Sequence, residues 1–168
     1  MPISEQQYLS TSYRPDCDYV DGEVIERNLG ERDHGVLQRN LVVYFHSRRR
    51  EWNVSVFLEQ RVQVSKTRYR VPDVCLYVGD GPKDQIFRMP PFICIEILSP
   101  EDRVARIQQR IDDYLNFGVA YVWVIDPSSR RPWSYTTEGS REIKDGILAT
   151  RNPSLTVDLA EIFSELDS

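Results

Sequence analysis

The sequence predicts an α/β fold, a mixed β-sheet flanked by helices, and three observations support this prediction. Residues 69–78 and 91–100 contain apolar runs, which are typical of strands buried on both faces of a sheet. Two longer stretches, beginning near His34 and Ser99, repeat apolar residues at helical spacing. Near the N-terminus, residues 18–25 have the pattern of a β-hairpin.

The N-terminal segment predicts a short helix followed by that hairpin. Ser4 and Gln7 form a capping-box pattern, which predicts a helix ending at about Leu9. Asp21-Gly22 then supplies the positive φ angles that a tight hairpin turn requires.

A long helix, a strand and a polar turn are expected next. The helix runs from about His34 to Glu51, and the strand spans residues 54–64 and contains Glu59. Residues 65–70 form the turn, with the cations Lys66, Arg68 and Arg70. The expected buried side of the helix consists of Val36, Leu37, Leu41, Tyr44 and Phe45.

The second long helix has strong start and stop signals. Ser99 is the expected cap, Pro100 suits the first helical position, and Gly118 follows the last apolar residue, Phe117. The expected buried face consists of Val104, Ile107, Ile111, Tyr114 and Leu115.

The C-terminal third predicts a further core strand and a small β/α extension. Residues 121–127 form the strand, and residues 133–137 and 147–150 are expected to pair as a hairpin. Residues 155–159 lead into a short terminal helix.

Composition limits the classes of protein. The chain has 168 residues, of which 40% are hydrophobic and 28% charged, so we expect one folded domain over residues 1–168. No apolar stretch has the length of a membrane helix, and no leader pattern is present, so we expect a soluble cytoplasmic protein without a membrane partner. The net charge of −5 argues against a general nucleic-acid coat protein but not against a nuclease with a local basic patch. Cys17, Cys75 and Cys94 lack CxxC spacing and predict free thiols, and there is little support for a zinc site.

Two acids stand out from their apolar surroundings. Glu96 lies inside a strand of isoleucines, where a carboxylate needs a cation, a metal or a proton to compensate its charge. Asp73 follows Pro72 at the opening of another apolar strand. If these strands are neighbours, the two carboxylates converge and offer hard oxygen ligands for Mg²⁺ or Mn²⁺. An ion-paired or hydrogen-bonded core glutamate is the structural alternative for Glu96.

The order of motifs resembles the PD-(D/E)XK nuclease superfamily, and within it the Uma-type group of restriction-like endonucleases. Pro72-Asp73 and Glu96 match the two acids, and residues 18–23 are similar to the hairpin that precedes them in that group. His34-Gly35 opens the first long helix as it does there. The other matching motifs are Tyr114, Gly118-Val119 and residues 121–127. The resemblance covers about residues 19–127 and implies a restriction endonuclease-like core.

One position departs from the superfamily pattern. The lysine expected two residues after the second acid is Leu98 here, and in the similar group it often lies on the following helix, at the position of Arg110. The resemblance therefore implies that Asp73, Glu96 and Arg110 are catalytic, with Asp73 and Glu96 as metal ligands. Arginine keeps the positive charge but cannot act as a base at neutral pH.

Other polar residues are weaker candidates, each with a structural alternative. His34 is an active-site neighbour or a cap, while Glu23 and Glu59 are additional acids near the metal or exposed strand residues. For Arg103 and Arg106, which share a helix stripe with Arg110, the alternatives are phosphate contacts and solvated ion pairs. Arg70 is also a candidate nucleic-acid contact, and Arg48, Arg49 and Arg50 form either a solvated helix end or a phosphate contact.

The resemblance implies an endonuclease that uses Mg²⁺ or Mn²⁺ to hydrolyse phosphodiester bonds, in DNA rather than RNA, with a homodimer as a possible assembly. The alternative is a non-catalytic module of the same fold, in which the two acids are structural and the protein binds nucleic acid or another protein. A third interpretation, another phosphodiester or nucleotide hydrolase with the same pair of acids, stays open.

Overall fold

The computed structural model describes residues 2–28 and 30–167, which form a central mixed sheet with helices on both faces, an N-terminal sheet and a C-terminal β/α extension. The helices are α1 (Glu5–Leu9), α2 (Arg32–Ser47), α3 (Arg49–Trp52), α4 (Val104–Phe117) and α5 (Leu159–Phe163), followed by a 3₁₀ turn at Ser164–Asp167. The strands are β1 (Asp18–Val20), β2 (Glu23–Ile25), β3 (Val54–Leu58), β4 (Val62–Ser65), β5 (Arg68–Arg70), β6 (Val74–Val78), β7 (Ile93–Ile97), β8 (Tyr121–Asp126), β9 (Arg131–Thr136), β10 (Gly139–Glu142), β11 (Ile147–Ala149) and β12 (Thr156–Asp158).

The central sheet has six strands in the order β10-β9-β8-β7-β6-β3. Only β7 and β8 are parallel, and α4 is the crossover that connects them, as a parallel pair requires. The other neighbouring strands are antiparallel. The predicted core strands, β3, β6, β7 and β8, are therefore adjacent, and the predicted α/β class is confirmed.

Alternate residues of β7 point to the two faces of the sheet, because side chains alternate along a strand. Ile93, Ile95 and Ile97 pack in a cluster with α2 and with the C-terminal extension. Cys94 packs on the other face with α4 and β8. Glu96 shares the face of Cys94, so its carboxylate lies under α4.

Several local predictions are confirmed. Ser4 makes a capping box with Gln7. Asp21 and Gly22 have φ angles of 51° and 97°, as a primed hairpin turn needs. Gly118 ends α4 with φ at 113°, a conformation that favours glycine. Cys17, Cys75 and Cys94 are buried free thiols.

The expected single strand over residues 54–64 is wrong, because the chain turns at Glu59, whose φ is 49°. β3 belongs to the central sheet, while β4 joins an N-terminal sheet of order β2-β1-β5-β4. The expected turn over residues 65–70 contains strand β5, which pairs with both β1 and β4. The predicted helix from His34 to Glu51 begins at Arg32 and is interrupted at Arg48.

The second helix begins at Val104 rather than directly after Ser99, so this predicted start is wrong. The carboxylate of Asp102 accepts hydrogen bonds from the backbone N–H and hydroxyl of Ser99, which closes residues 99–102 into a separate turn. Val104, expected on the buried face, is 87% exposed as a result.

The predicted C-terminal hairpin is also wrong in its pairing. β9 pairs with β10, and β11 pairs with β12. The terminal helix is confirmed and packs against the α2 face of the central sheet through Ile162 and Phe163. Among the described residues, no helix is both long enough and apolar enough to cross a bilayer.

Candidate active site at the end of strands β6 and β7

Asp73 and Glu96 lie side by side at one end of the central sheet. The antiparallel register pairs Val74 with Ile95, and continuing it by one residue places Asp73 opposite Glu96. Opposite residues of an antiparallel pair project from the same face, with Cβ atoms about 5 Å apart. Both acids are buried, at 4% and 2% exposure. The structure thus brings together the two acids that the sequence singled out.

Asp73 has a complete set of donors around its carboxylate. Oδ1 accepts a hydrogen bond of 2.7 Å from Arg27, and Oδ2 accepts one of 2.8 Å from the backbone N–H of Ile97. His34 Nε2 lies 3.3 Å from Oδ2. Burial alone would raise the pKa of Asp73, but the hydrogen bond from His34 and the charge of Arg27 outweigh it and hold this pKa below its usual range.

The pKa of Glu96 is shifted in the opposite direction, upward. Its Oε1 accepts a hydrogen bond of 2.7 Å from the Tyr114 hydroxyl and lies 2.9 Å from an Arg110 nitrogen. Burial raises the pKa of Glu96 to about 8; the charge of Arg110 opposes this shift, and the charge of Asp73 adds to it. The neighbouring acids are therefore pushed apart in pKa, an arrangement that is frequent in catalytic pairs.

Arg110 reaches the pair from α4, as the sequence predicted. Besides Glu96, it contacts the backbone carbonyl of Val71 at 2.9 Å, and its Nε lies 3.4 Å from Asp18. The opposing charges of Asp18 and Glu96 outweigh burial and raise the pKa of Arg110. This side chain is therefore a permanent cation held beside Glu96.

Arg27 is the site residue that the sequence analysis missed. Its side chain is 8% exposed, contacts Asp73, and lies 3.3 Å from Glu59. Its Nε is buried without a hydrogen-bond partner among the described residues, as is the Nε of Arg110. The sequence predicted that Glu96 needs a cation, a metal or a proton, but it gave no such signal for Asp73 and none that pointed to Arg27.

His34 is placed by the loop that precedes it. A Cβ atom at Gly30 would lie 2.5 Å from His34 Nδ1, so only a glycine lets the loop pass against the imidazole. Burial would lower the pKa of His34, but its hydrogen bond to Asp73 and the charge of that residue raise it. The predicted neighbour of the active site therefore contacts one of the two acids directly.

Within the described part of the chain, the side chains of the other candidate residues form no hydrogen bond or ion pair with the two acids. Glu59 approaches the site through Arg27, whereas Glu23 is exposed on β2 and no described contact joins it to either acid. Arg103 and Arg106 are exposed near the start of α4, while the Arg110 side chain on the same helix is 13% exposed and contacts Glu96, so the three do not form one surface stripe.

Arg70, a predicted nucleic-acid contact, is only 2% exposed and belongs to a separate network. It contacts Asp113 at 2.7 Å, Asp18 at 3.1 Å and Gln109 at 3.2 Å. We call these four residues the Arg70 cluster. The Arg70 guanidinium is buried and paired with these residues, so it is not accessible to a phosphate.

A divalent cation fits the donor chemistry of the acid pair. Among residues 2–28 and 30–167, no group of three or more His, Cys, Asp or Glu side chains is arranged to hold a metal. Mg²⁺, however, keeps several waters and is bound through one or two carboxylates together with substrate phosphates. Asp73 and Glu96 supply that number, and the guanidinium of Arg27 is the competitor for Asp73 Oδ1.

Comparison with known proteins gives a family and a solved structure. A family model described as "Uma2: Putative restriction endonuclease" matches residues 5–164. A crystal structure from Anabaena variabilis, described as "a putative nuclease belonging to DUF820", is similar with a TM-score of 0.84 and 23% sequence identity. The alignment covers 98% of this chain and 99% of that one, which shows a common fold. No curated protein matches the chain.

Proposed function

The chain belongs to the Uma2 family of restriction endonuclease-like proteins, and from this premise we propose that it is a metal-dependent endonuclease built as one domain over residues 1–168. It hydrolyses phosphodiester bonds of nucleic acid, in DNA rather than RNA. The observation that carries the proposal is the pair of buried carboxylates, Asp73 and Glu96, opposite each other with pKa values shifted in opposite directions.

Asp73 and Glu96 would hold Mg²⁺ or Mn²⁺. A bound divalent ion lowers the pKa of a coordinated water and offsets the charge of a phosphate. The side chain of Arg110 stabilises negative charge that develops at the phosphate, and it stays protonated throughout because a guanidinium does not lose its proton at neutral pH. Tyr114 fixes Glu96 through its hydrogen bond, and His34 fixes Asp73.

The affinity for the metal is expected to depend on pH, because Glu96 must lose its proton to bind it. Burial raises the pKa of Glu96, so its carboxyl holds a proton to a higher pH than an ordinary glutamate when no metal is bound. Carboxylate ligands must lose their protons, so binding releases this proton and affinity rises as the pH increases toward 8. Titrations at pH 6.5 and pH 8.5 measure the dependence.

The contacts of the acids also favour a second candidate, a non-catalytic module of the same fold. Arg27 lies 2.7 Å from Asp73 and Arg110 lies 2.9 Å from Glu96, so each carboxylate already has a cation. Under this candidate the acids only stabilise the fold, and the protein binds nucleic acid or another protein without cleaving it.

Calorimetric titration with Mn²⁺ separates the two candidates. The wild type, Asp73→Asn and Glu96→Gln are compared, with Glu138→Gln as a control that removes an exposed acid from the β9–β10 turn. We expect saturable binding in the wild type and the control, and none in the two site variants. Equal affinity in all four proteins, or no binding in the wild type, contradicts the metal site and favours the non-catalytic module.

A cleavage assay then tests the substrate. Plasmid DNA and a transcribed RNA are incubated with Mn²⁺ and each of the four proteins. We expect nicked DNA with the wild type and with Glu138→Gln, and intact DNA with the two site variants. Cleavage of the RNA alone would overturn the preference for DNA.

A further inference from the structure

A large cleft opens beside the acid pair and has no role in the chemistry described so far. Its volume is about 710 Å³, and it lies between the start of α4, the ends of β7 and β8, and strand β9. His34, which contacts Asp73, also lines it. Leu98 and Ser99, just after the Glu96 strand, form another part of its wall. The cleft therefore reaches the candidate active site through His34, which lines the cleft and contacts Asp73.

The register of the sheet fixes how far the cleft lies from the acids. Glu96 pairs with Val124, and Val124 pairs with Trp133, so the three residues form a row across β7, β8 and β9 on one face. Neighbouring strands are about 4.8 Å apart, which places the backbone of Trp133 about 10 Å from that of Glu96. A nucleotide whose phosphate lies at the acids can reach this distance with its base.

The lining of the cleft suits a flat, uncharged ring rather than a phosphate. Trp133 and Tyr135 are half-buried aromatic residues of its wall, and Val104 adds an 87% exposed apolar side chain at the start of α4. Acids outnumber arginines in the lining, which disfavours anions, although Asp102 and Asp126 already accept hydrogen bonds from Asn28, Ser99, Ser128 and Ser129. The acids are Glu31, Asp33, Asp102 and Asp126, and the arginines are Arg103 and Arg130.

We propose that this cleft binds one unstacked nucleobase of the substrate, next to the cleaved phosphate, with the base stacked on Trp133. A paired base inside a duplex cannot enter such a site without leaving the stack. The substrate class is therefore single-stranded nucleic acid or a locally unpaired segment of a duplex. This inference rests on the proposed nuclease function and specifies its substrate.

Abasic scanning tests the proposal without metal or cleavage. Single-stranded DNA 12-mers with a fluorescent label, each lacking one base, are titrated with the full chain in the presence of a chelator, and binding is followed by anisotropy. We expect loss of one particular base to weaken binding about tenfold, the usual effect of losing one base–aromatic stack. The same scan is expected to be flat for Trp133→Leu and to keep its sensitive position for Trp133→Phe, which retains an aromatic ring.

Trp133 also packs partly against the core, so its replacement could disturb the fold. A second measurement therefore uses the wild-type protein alone. 2-Aminopurine at the sensitive position is expected to lose fluorescence on binding to the wild type, because stacking quenches it. A flat wild-type scan, an unchanged scan in folded Trp133→Leu, no quenching, or no binding of any 12-mer would each overturn the base site.

The outcomes also separate this inference from the proposed function. Mn²⁺ binding at the acids together with a flat scan removes the base site alone. A clear sensitive position without Mn²⁺ binding supports the base site and removes the metal-dependent nuclease.

Discussion

The acid pair and the Arg70 cluster are both buried sets of carboxylates and arginines, and Arg110 lies between them. In the Arg70 cluster, the guanidinium has two acids and an amide as partners within 3.2 Å. Beside the acid pair, the buried Nε of Arg27 has no hydrogen-bond partner among the described residues, and the Nε of Arg110 makes a 3.4 Å ion-pair contact with Asp18 but no hydrogen bond. Glu96 is also shifted to a pKa of about 8. In the Arg70 cluster the charged groups are paired with one another, whereas the groups around the acid pair can still bind a ligand.

Buried charge in the Arg70 cluster stabilises the fold, whereas buried charge at the acid pair is available for chemistry. A closed ion network contributes mainly by avoiding unpaired charge, and breaking it is costly. A network with displaced pKa values and unpartnered donors is typical of functional sites. The cleft reaches the acid pair through His34, and no residue of the Arg70 cluster lines it among the described residues, which supports the same division.

The largest expected effect comes from opening the Arg70 cluster. Arg70→Met leaves Asp18 and Asp113 without their shared cation, and loss of one partner of a buried pair costs about 3–5 kcal/mol. Urea denaturation measures the free energy of unfolding. The control is Arg32→Met, which removes an arginine from an exposed ion pair and is expected to change stability by less than about 0.5 kcal/mol. Equal stabilities of the two variants would contradict a structural role for the cluster.

A pH series tests the unusual state of Glu96. A carboxyl whose folded pKa is raised from 4.5 to about 8 binds more protons in the folded state between these values, so stability falls as the pH rises through this window. The loss is of the order of a few kcal/mol. The raised pKa of His34 acts in the same direction above its ordinary value, while the lowered pKa of Asp73 acts only in more acidic solution.

Glu96→Gln is expected to flatten most of that slope, because glutamine resembles the protonated carboxyl. Urea denaturation at pH values from 5 to 9 compares this variant with the wild type. A wild-type stability that increases between pH 5 and pH 8 would contradict the raised pKa.

Arg110→Lys tests the residue that contacts both networks, through Glu96 in the acid pair and Asp18 in the Arg70 cluster. Lysine keeps a cation near Glu96 but loses the planar guanidinium that also contacts the Val71 carbonyl, so we expect a loss of about 1 kcal/mol in stability. Mn²⁺-dependent cleavage is expected to persist or rise, since lysine also binds phosphate and has an accessible neutral state. Absence of cleavage in both wild type and variant would favour the non-catalytic module.

The smallest expected effect is a change in metal affinity and concerns Arg27. Because its guanidinium contacts Asp73 Oδ1, Arg27→Gln removes a competitor and is expected to tighten Mn²⁺ binding several-fold in calorimetry. The control is Arg106→Gln, which removes an exposed cation from α4 and is expected to leave the affinity unchanged. Weaker binding in Arg27→Gln would show that Arg27 supports the acids rather than competing for them.

Features that depend on near neighbours in the chain could be predicted from the sequence. The Asp21-Gly22 turn, the Gly118 helix end and the buried strands around Asp73 and Glu96 follow from φ preferences and from local apolar patterns. The two acids were identified for the same reason, since a carboxylate within an apolar run is visible without knowledge of its partners.

Contacts between groups that are distant in the chain could not be predicted from the sequence and are seen in the folded protein. Arg27 lies 46 residues from Asp73 in the chain, and nothing local distinguishes it from a solvated arginine. Arg70, a candidate nucleic-acid contact in the sequence, is buried by partners from β1 and α4, and residues 54–64 divide between two sheets. Charge compensation and strand pairing depend on separations across the fold rather than along the sequence, so the sequence indicated that partners were needed and the fold selected them.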